Sequence, residues 1–200
     1  MTIKTASKDK LTKGKGSSEK GEAPSGHEHP ISPLAPKKTV KLPPLAGIRM
    51  ATGEAGIAYK GRTDLLLVTL AVETQIAGVF TRSKTASAPV DWCKAQLVHG
   101  KARALVVNSG NANAFTGAAG EKTVEEVAAT AAAAVGCRSR EVFLASTGVI
   151  GEPLPHKKIS KILGRLAQSG SASAWHAAAE AIMTTDTFPK LATEKTSIDG

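Results

Sequence analysis

The chain has 200 residues, enough for one sizeable hydrophobic core or for a core with an appendage. Hydrophobic residues make up 42% of it but aromatic residues only 4%, so the core has to pack small side chains closely, as layered α/β proteins do. Residues 1–40 hold eight lysines against four acidic residues, so this segment carries +4 of the net charge of +9, and the folded remainder is too modestly basic to indicate nucleic-acid binding.

The sequence shows no membrane, secretion or metal signal. No apolar run approaches the roughly 20 residues that span a bilayer, and no hydrophobic region follows the N-terminal lysines. Cys93 and Cys137 lie far apart without a CxxC or a nearby histidine pair, which argues against zinc and against a redox motif. The His-Glu-His stretch at 27–29 has no third ligand. We therefore expect a reduced, cytoplasmic, soluble protein without a metal site, a nucleic-acid partner or a membrane partner.

The first 39 residues predict a disordered tail. They consist largely of Lys, Ser, Gly and Pro and contain almost nothing to bury, so they cannot offset the entropy that ordering would cost. Residues 40–200 are expected to form the folded domain.

Short apolar segments predict several strands. In "GIRMATGEAGIAYKGRTDLLLVTLA", Gly53, Gly56 and Gly61 separate short apolar runs, which indicates strands joined by tight turns. Further buried strands are predicted at 74–81, at 103–110 and at 142–147.

A helix is predicted in "TVEEVAATAAAAVG". Thr123 with Glu126 three residues later forms a capping box at its start, and Gly136 occupies the position of a C-terminal glycine cap. The overlapping "GAAGEKT" resembles a phosphate-binding loop, but Glu121 would repel the phosphates, so the capping box is the preferred interpretation.

Two more helices are predicted after the last strand. "LPHKKISKILGRLAQSG" places apolar residues at 159, 162, 163 and 166 on one helical face. "SAWHAAAEAIMTTD" does the same with 175, 178, 179 and 182, and Ser173 is the predicted N-cap. Because strands come first and helices and strands then follow in mixed order, without a regular βαβ period, the order favours an α+β or layered αββα fold over a doubly wound sheet.

Three stretches carry candidate chemistry. "VVNSGNANAFTG" contains Asn108, Asn111 and Asn113, and such asparagines either build a turn or offer donors and acceptors to an amino-acid-like ligand. In "FLASTGVIGEPLP", Thr147 and Gly148 either end a strand in a turn or supply donors to a developing oxyanion. "MTTDTFPK" places threonines and an aspartate after a helix, where they either cap the helix or bind a polar substrate.

Together these stretches resemble the ornithine acetyltransferase family, also called glutamate N-acetyltransferase. The resemblance runs in order from about Pro43 to Gly200 through "AGVFTRSKTASAPV", "VVNSGNANAFTG", "ASTGVIGEPLP" and "AIMTTDTFPK". It implies an αββα-type sandwich fold and a chemistry that resembles that of N-terminal nucleophile hydrolases. It leaves residues 1–39 unmatched.

The resemblance also implies a reaction. Family members move an acetyl group from N2-acetylornithine to glutamate in arginine biosynthesis, some also accept acetyl-CoA, and no cofactor is expected. The precursor cuts itself into α and β chains that form an α2β2 heterotetramer, and the N-terminal threonine of the β chain is the nucleophile. Carried over to this sequence, Thr147 and Gly148 form the oxyanion hole, Thr184 (alternatively Thr185) contacts the substrate, and Asn108 and Asn111 are further candidates.

In the family pattern the cleavage junction lies beyond Gly200, so we expect this chain alone to be inactive. Two other functions stay open. One is a self-processing aminopeptidase or amidohydrolase of related fold. The other is a non-catalytic basic binding module, which salt-dependent retention on nucleic acid would support.

Overall fold

The structure, a computed structural model, describes residues 30–38 and 40–197. Within these residues the secondary-structure elements are β1 (Ile48–Gly53), β2 (Leu65–Leu70), α1 (Ala88–Leu97), β3 (Ala104–Asn111), α2 (Gly117–Val135), β4 (Val142–Val149), α3 (His156–Ser169) and α4 (Trp175–Ala181). A single 3-10 turn, Ser139–Glu141, precedes β4. None of the described helices is both long and apolar enough to cross a bilayer.

The four strands form one mixed sheet whose spatial order, β1-β2-β3-β4, is the order of the chain. The first two pairings are antiparallel, and β3 pairs with β4 in parallel after the crossover through α2. The helices and this sheet confirm the predicted α+β class. The described residues hold one sheet, and a second sheet facing it is not among them.

Helices cover both faces of the sheet because side chains alternate along each strand. Leu65 and Leu67 of β2 point into the core that α2 and α3 close, whereas Leu66 points to the opposite face and packs with Ala178 and Ala181 of α4. The predicted apolar face of α3 is confirmed. Its three core residues, Ile159, Leu163 and Leu166, are between 0% and 2% exposed.

Helix α1 lies along the outer edge of β4, which is the last strand of the sheet. The Cys93 thiol accepts the Leu144 N–H at 3.3 Å and donates to the Leu144 carbonyl at 3.2 Å. The Trp92 indole N–H donates to the Val142 carbonyl at 2.9 Å. Two side chains of α1 thus form hydrogen bonds with the first half of the β4 edge, whose backbone groups would otherwise be unpaired.

The predicted strand at 74–81 is wrong. Its only ladder contact in the structure is an isolated bridge between Gln75 and Lys101, and Val79 is 98% exposed. Because β2 and β3 pair directly with each other, the segment between them has no strand to pair with, and it crosses the end of the sheet toward α1.

The helix starts differ from those predicted. Helix α2 begins at Gly117, and the Thr123 hydroxyl donates to the Ala119 carbonyl inside the helix, so Thr123 is not its N-cap. The C-terminal cap at Gly136 is confirmed, with a left-handed φ of 73°. Helix α4 begins at Trp175 without a side-chain cap, because the Ser173 hydroxyl hydrogen-bonds to that of Ser171.

Most of the predicted tail lies outside the described residues, including the His-Glu-His stretch at 27–29. Where residues 30–38 are described, they contact the domain: the Ser32 N–H donates to the Thr187 hydroxyl at 3.2 Å. Ile31 and Pro36 line a cavity together with Phe188. The boundary at residue 40 stays a prediction.

Candidate active site

Two glycines face each other where β3 and β4 end. Gly110 and Gly148 are partners in the parallel ladder, with φ values of +95° and +133°. A Cβ on Gly110 would lie 2.8 Å from the Cβ of Ala58 in the loop between β1 and β2, and a Cβ on Gly148 would lie 2.5 Å from the backbone nitrogen of Asn111. The close approach of three backbone segments therefore requires both glycines.

Beyond the part that α1 covers, the outer edge of β4 is bare. Leu144 directs its N–H and carbonyl outward to Cys93. Since these groups alternate in direction along a strand, Ser146 and Gly148 direct theirs outward as well. Among the described residues neither N–H has a partner on that side, and the Thr147 hydroxyl has none either. Both predicted oxyanion donors are thus available for hydrogen bonding.

The asparagines of the "NSGNANA" stretch hold the two strand ends together. The Asn108 amide donates to the Asn111 carbonyl at 2.8 Å, and its oxygen accepts the Ser146 hydroxyl at 2.6 Å. The Asn111 amide donates to the Glu152 carbonyl at 2.9 Å, and its oxygen accepts the Asn113 N–H at 2.8 Å. The three side chains are 0% to 4% exposed, so their amides support the shape of the site.

Helix α4 brings the "MTTDTFPK" stretch to the same end of the sheet. The Ser109 hydroxyl donates to the Ala181 carbonyl at the end of α4, at 2.8 Å. Ser109 is also the ladder partner of Thr147. The residues that follow Ala181 therefore start on the face of the sheet next to the predicted oxyanion donors.

Within that stretch, Thr184 is half-buried and Thr185 is exposed. The Asp186 carboxylate hydrogen-bonds to the Lys190 ammonium and, at 3.4 Å, accepts the Thr184 N–H. The hydrogen bond from Lys190 lowers the pKa of Asp186. Asp186 is thus anionic at neutral pH and holds the turn that presents Thr184.

Asp64 organises the loop over Gly110, a role that was not predicted from the sequence. Asp64 is fully buried, and its two carboxylate oxygens accept the N–H groups of Ala55 and Ile57, each at 2.6 Å. The Asp64 carbonyl accepts the Ser109 N–H at 2.9 Å. The available signal was a carboxylate directly in front of an apolar strand and behind a glycine-rich loop.

A cleft of about 350 Å³ lies beside this loop and the end of α4. Its wall includes Arg62, Glu180 and Thr187. The Arg62 guanidinium lies 4.4 Å from the centre of the Tyr59 ring and donates to the Met183 carbonyl at 2.5 Å. A wall with one cation, one carboxylate and two hydroxyls, the second from Thr63, has the chemistry to bind a zwitterionic amino acid.

No group of three or more His, Cys, Asp or Glu side chains within residues 30–38 and 40–197 is arranged to hold a metal ion. What the site offers is hydrogen-bond donors at a close-packed strand end. Such donors stabilise an oxygen that becomes negative in a transition state.

The ArgJ family model matches residues 49–200. The arginine biosynthesis bifunctional protein ArgJ of Bradyrhizobium diazoefficiens is 61% identical over 163 residues, which cover 82% of this chain and 40% of the relative. The protein of the same name from Agrobacterium fabrum is 56% identical over 170 residues, covering 85% and 41%. The chain thus spans about 40% of the length of these curated relatives.

Two solved structures share the fold. Ornithine acetyltransferase from Mycobacterium tuberculosis, solved in complex with ornithine, superposes with a TM-score of 0.68 at 39% identity, covering 70% of this chain and 77% of that one. ArgJ from Bacillus halodurans gives a TM-score of 0.66 at 34% identity, covering 71% and 74%.

Proposed function

This chain belongs to the ArgJ family, and from that premise we propose that it is the N-terminal part of an acyltransferase that moves an acetyl group from N2-acetylornithine to glutamate in arginine biosynthesis. Acetyl-CoA is a second acetyl donor that the same acetyl-enzyme route accommodates, and no cofactor takes part. The observation that carries the proposal is the pair of free donors at Thr147 and Gly148, in a chain that matches the family over residues 49–200.

In the proposed mechanism this chain supplies the electrostatic half of catalysis. The acetyl carbonyl oxygen becomes negative when a nucleophile attacks the carbonyl carbon, and the Gly148 N–H and the Thr147 hydroxyl donate hydrogen bonds to it. The absence of a side chain at Gly148 lets β3 and β4 approach closely, because a Cβ there would lie 2.5 Å from the backbone nitrogen of Asn111. Donors held by a strand do not have to reorient during the reaction, which makes them effective.

The nucleophile in this proposal is the N-terminal threonine of a β chain, whose free amine acts as the base. That threonine belongs to the part of the relatives that this chain does not span. Attack on N2-acetylornithine forms an acetyl-threonine ester and releases ornithine, and the glutamate amine then takes the acetyl group. The two chains are proposed to assemble as an α2β2 heterotetramer.

Thr184 is the proposed substrate contact on this chain, with Thr185 as the alternative. Its half-buried position in the turn held by Asp186 supports that choice. The cleft beside it supports an amino-acid substrate, since Arg62 and Glu180 offer partners for a carboxylate and an ammonium group. Asn108 and Asn111 are proposed to position the strand ends, because their side chains bond to the protein itself.

The test is an acetyl-transfer assay with N-acetylornithine and glutamate. The chain is assayed alone and after co-expression with the part of the B. diazoefficiens relative that follows the matched residues. We expect no turnover by the chain alone and ornithine release by the complex. Hydrolysis of amino-acid anilides instead would favour the self-processing aminopeptidase. Retention on a nucleic-acid column that salt abolishes, without turnover, would favour the basic binding module.

A further inference from the structure

We infer that the second half of the β4 edge, together with the apolar side chains next to it, is the surface on which the downstream part of the enzyme docks as an added strand. This β4 rim consists of Ser146–Ile150 and Phe115. The inference rests on the proposed function, because it assigns a place to the segment that carries the nucleophile.

The outer backbone edge of β4 is unpaired at the rim. Helix α1 satisfies Val142 and Leu144 on the outer edge of β4, and nothing in the described part of the chain does the same for Ser146. A free sheet edge is a template for another extended segment, which bonds to it through its own backbone. Pairing at Ser146 leaves the Gly148 amide, two residues further along the same edge, for the acyl oxygen.

Large apolar side chains are exposed at the same rim. Phe115, Val149 and Ile150 are 70%, 52% and 61% exposed. They are neighbours, because the Ala112 N–H donates to the Val149 carbonyl and the Gly151 N–H donates to the Ala114 carbonyl. Large apolar side chains grouped beside a bare strand edge mark an interaction surface.

Phe115 has an unusual backbone conformation. Its φ is +57°, a left-handed conformation that is rare for a bulky residue. The side chain at this position is exposed and does not pack in the core of the chain. Strain of this kind persists only where the surroundings enforce it, and it concentrates at functional surfaces.

The length of the relatives identifies the occupant. About three-fifths of each curated relative lies outside the part that this chain matches, and this remainder is long enough to supply the docking strand. The rim is the place where a strand from it gains both backbone bonds and apolar contacts. The same placement brings the docked segment next to Thr147, where a nucleophile has to lie.

Hydrogen exchange measured by mass spectrometry tests the docking. The probe is the downstream part of the B. diazoefficiens relative, co-expressed with this chain. We expect exchange in the peptide 145–150 to slow at least tenfold in the complex relative to the chain alone, with no change in the peptide 96–100 at the opposite end of the sheet. Equal exchange of 145–150 in both samples, or failure of the downstream part to co-purify with the wild-type chain, would overturn the inference.

Charged variants give an independent readout. Val149→Asp combined with Ile150→Asp should weaken retention of the downstream part at least tenfold, whereas Val98→Asp should not, although Val98 is 81% exposed. Equal retention by both variants would contradict the docking surface. Dimerisation of the chain alone that the rim variant abolishes would instead assign the rim to a second copy. Protection of the rim without acetyl transfer would support the docking surface and contradict the proposed reaction. Acetyl transfer without protection of the rim would support the proposed reaction and contradict the docking surface.

Discussion

Gly110 and Gly148 are ladder partners at the ends of two parallel strands, and neither position has room for a side chain. A Cβ at Gly148 would overlap the backbone of Gly110 and lie 2.5 Å from the Asn111 nitrogen, whereas a Cβ at Gly151 would meet nothing within 4 Å. Gly148 and Gly151 both have positive φ, so a substitution strains the backbone at either position, but only at Gly148 does it also cause steric overlap.

We therefore predict that Gly148→Ala lowers the free energy of unfolding by more than Gly151→Ala. The control variant should lose roughly 1–3 kcal/mol, the cost of holding a non-glycine residue in a sparsely populated conformation. Gly148→Ala adds the displacement of β3 and should also reduce the yield of folded protein. Urea denaturation of both variants provides the comparison, and equal losses would show that the strands do not approach this closely.

Thr147→Val tests the oxyanion donor in the complete enzyme. The substitution keeps the shape of the side chain and removes its hydroxyl, so the effect should fall on kcat rather than on KM. Losing one such donor typically lowers kcat by roughly 10²–10³-fold. Thr69→Val, on β2 at the other end of the sheet, is the matched control and should keep wild-type kinetics. A folded Thr147→Val enzyme with normal kcat would mean that the "ASTG" stretch is only a turn and not an oxyanion donor.

Asp64→Asn should destabilise the domain. One carboxylate oxygen becomes an NH2 group that faces a backbone N–H, so either Ala55 or Ile57 loses its acceptor. A hydrogen bond to a charged group contributes about 1.5–3 kcal/mol, and we expect a loss of at least that size. Asp91→Asn, on the exposed side of α1, should change the free energy of unfolding little. Similar values for the two variants would argue against an organising role for Asp64.

Cys93→Ala should expose the edge that α1 covers. Burial raises the pKa of the Cys93 thiol, so the thiol is protonated at neutral pH and donates to the Leu144 carbonyl. Removing it leaves a buried N–H and a buried carbonyl unpaired, at a cost of about 1–3 kcal/mol. Cys137→Ala removes a half-buried thiol and should cost less. Thermal melts of both variants under reducing conditions give the answer, and a Cys93→Ala protein as stable as the wild type would contradict it.

Part of the acid dependence of stability should come from Glu141. The hydrogen bonds from the side chain and the N–H of Arg138 lower the pKa of Glu141 to about 2, below the value of about 4.3 in an unfolded chain. A carboxyl whose pKa falls on folding stabilises the fold fully above its unfolded pKa, and this contribution is lost as the pH falls toward its folded pKa.

Glu141→Gln should therefore be less stable than the wild type near neutral pH, and its Tm should fall less between about pH 5 and pH 2.5. Melting curves across that range check both effects. Parallel curves for the two proteins would mean that Glu141 does not contribute to the pH dependence.

Much of the fold was predictable because it rests on local patterns. Strands β3 and β4 are apolar runs between turn signals, and α3 has a clear apolar face, so each was predicted within a few residues. Helix α1 was missed because it buries only Pro89 and Cys93, so its sequence shows no continuous apolar face. Its place is set by the edge of β4, a contact across about 50 residues of sequence that no local pattern encodes.

The site was predictable in the same partial way. The segments that carry Thr147, Thr184 and the asparagines stand out in the sequence. What the asparagines do depends on which backbone groups the fold brings beside them, and the buried contacts of Asp64 depend on a loop folding back over β3. Pattern alone therefore left the ligand and the turn interpretations of "NSGNANA" equally open.

Because the strand order in the sheet equals the order in the chain, the sheet can form progressively while the protein is synthesised. Strands β2, β3 and β4 each follow their partner in the chain, so that partner has already left the ribosome when the strand emerges. All four described strands have emerged once Val149 has left the ribosome, and α3 and α4 then cover the two faces of the sheet. Domains generally fold as units during synthesis, starting from the N-terminus. In relatives that continue past this domain, the outer edge of β4 is the last part of the sheet to form and the first that the polypeptide still being translated can meet.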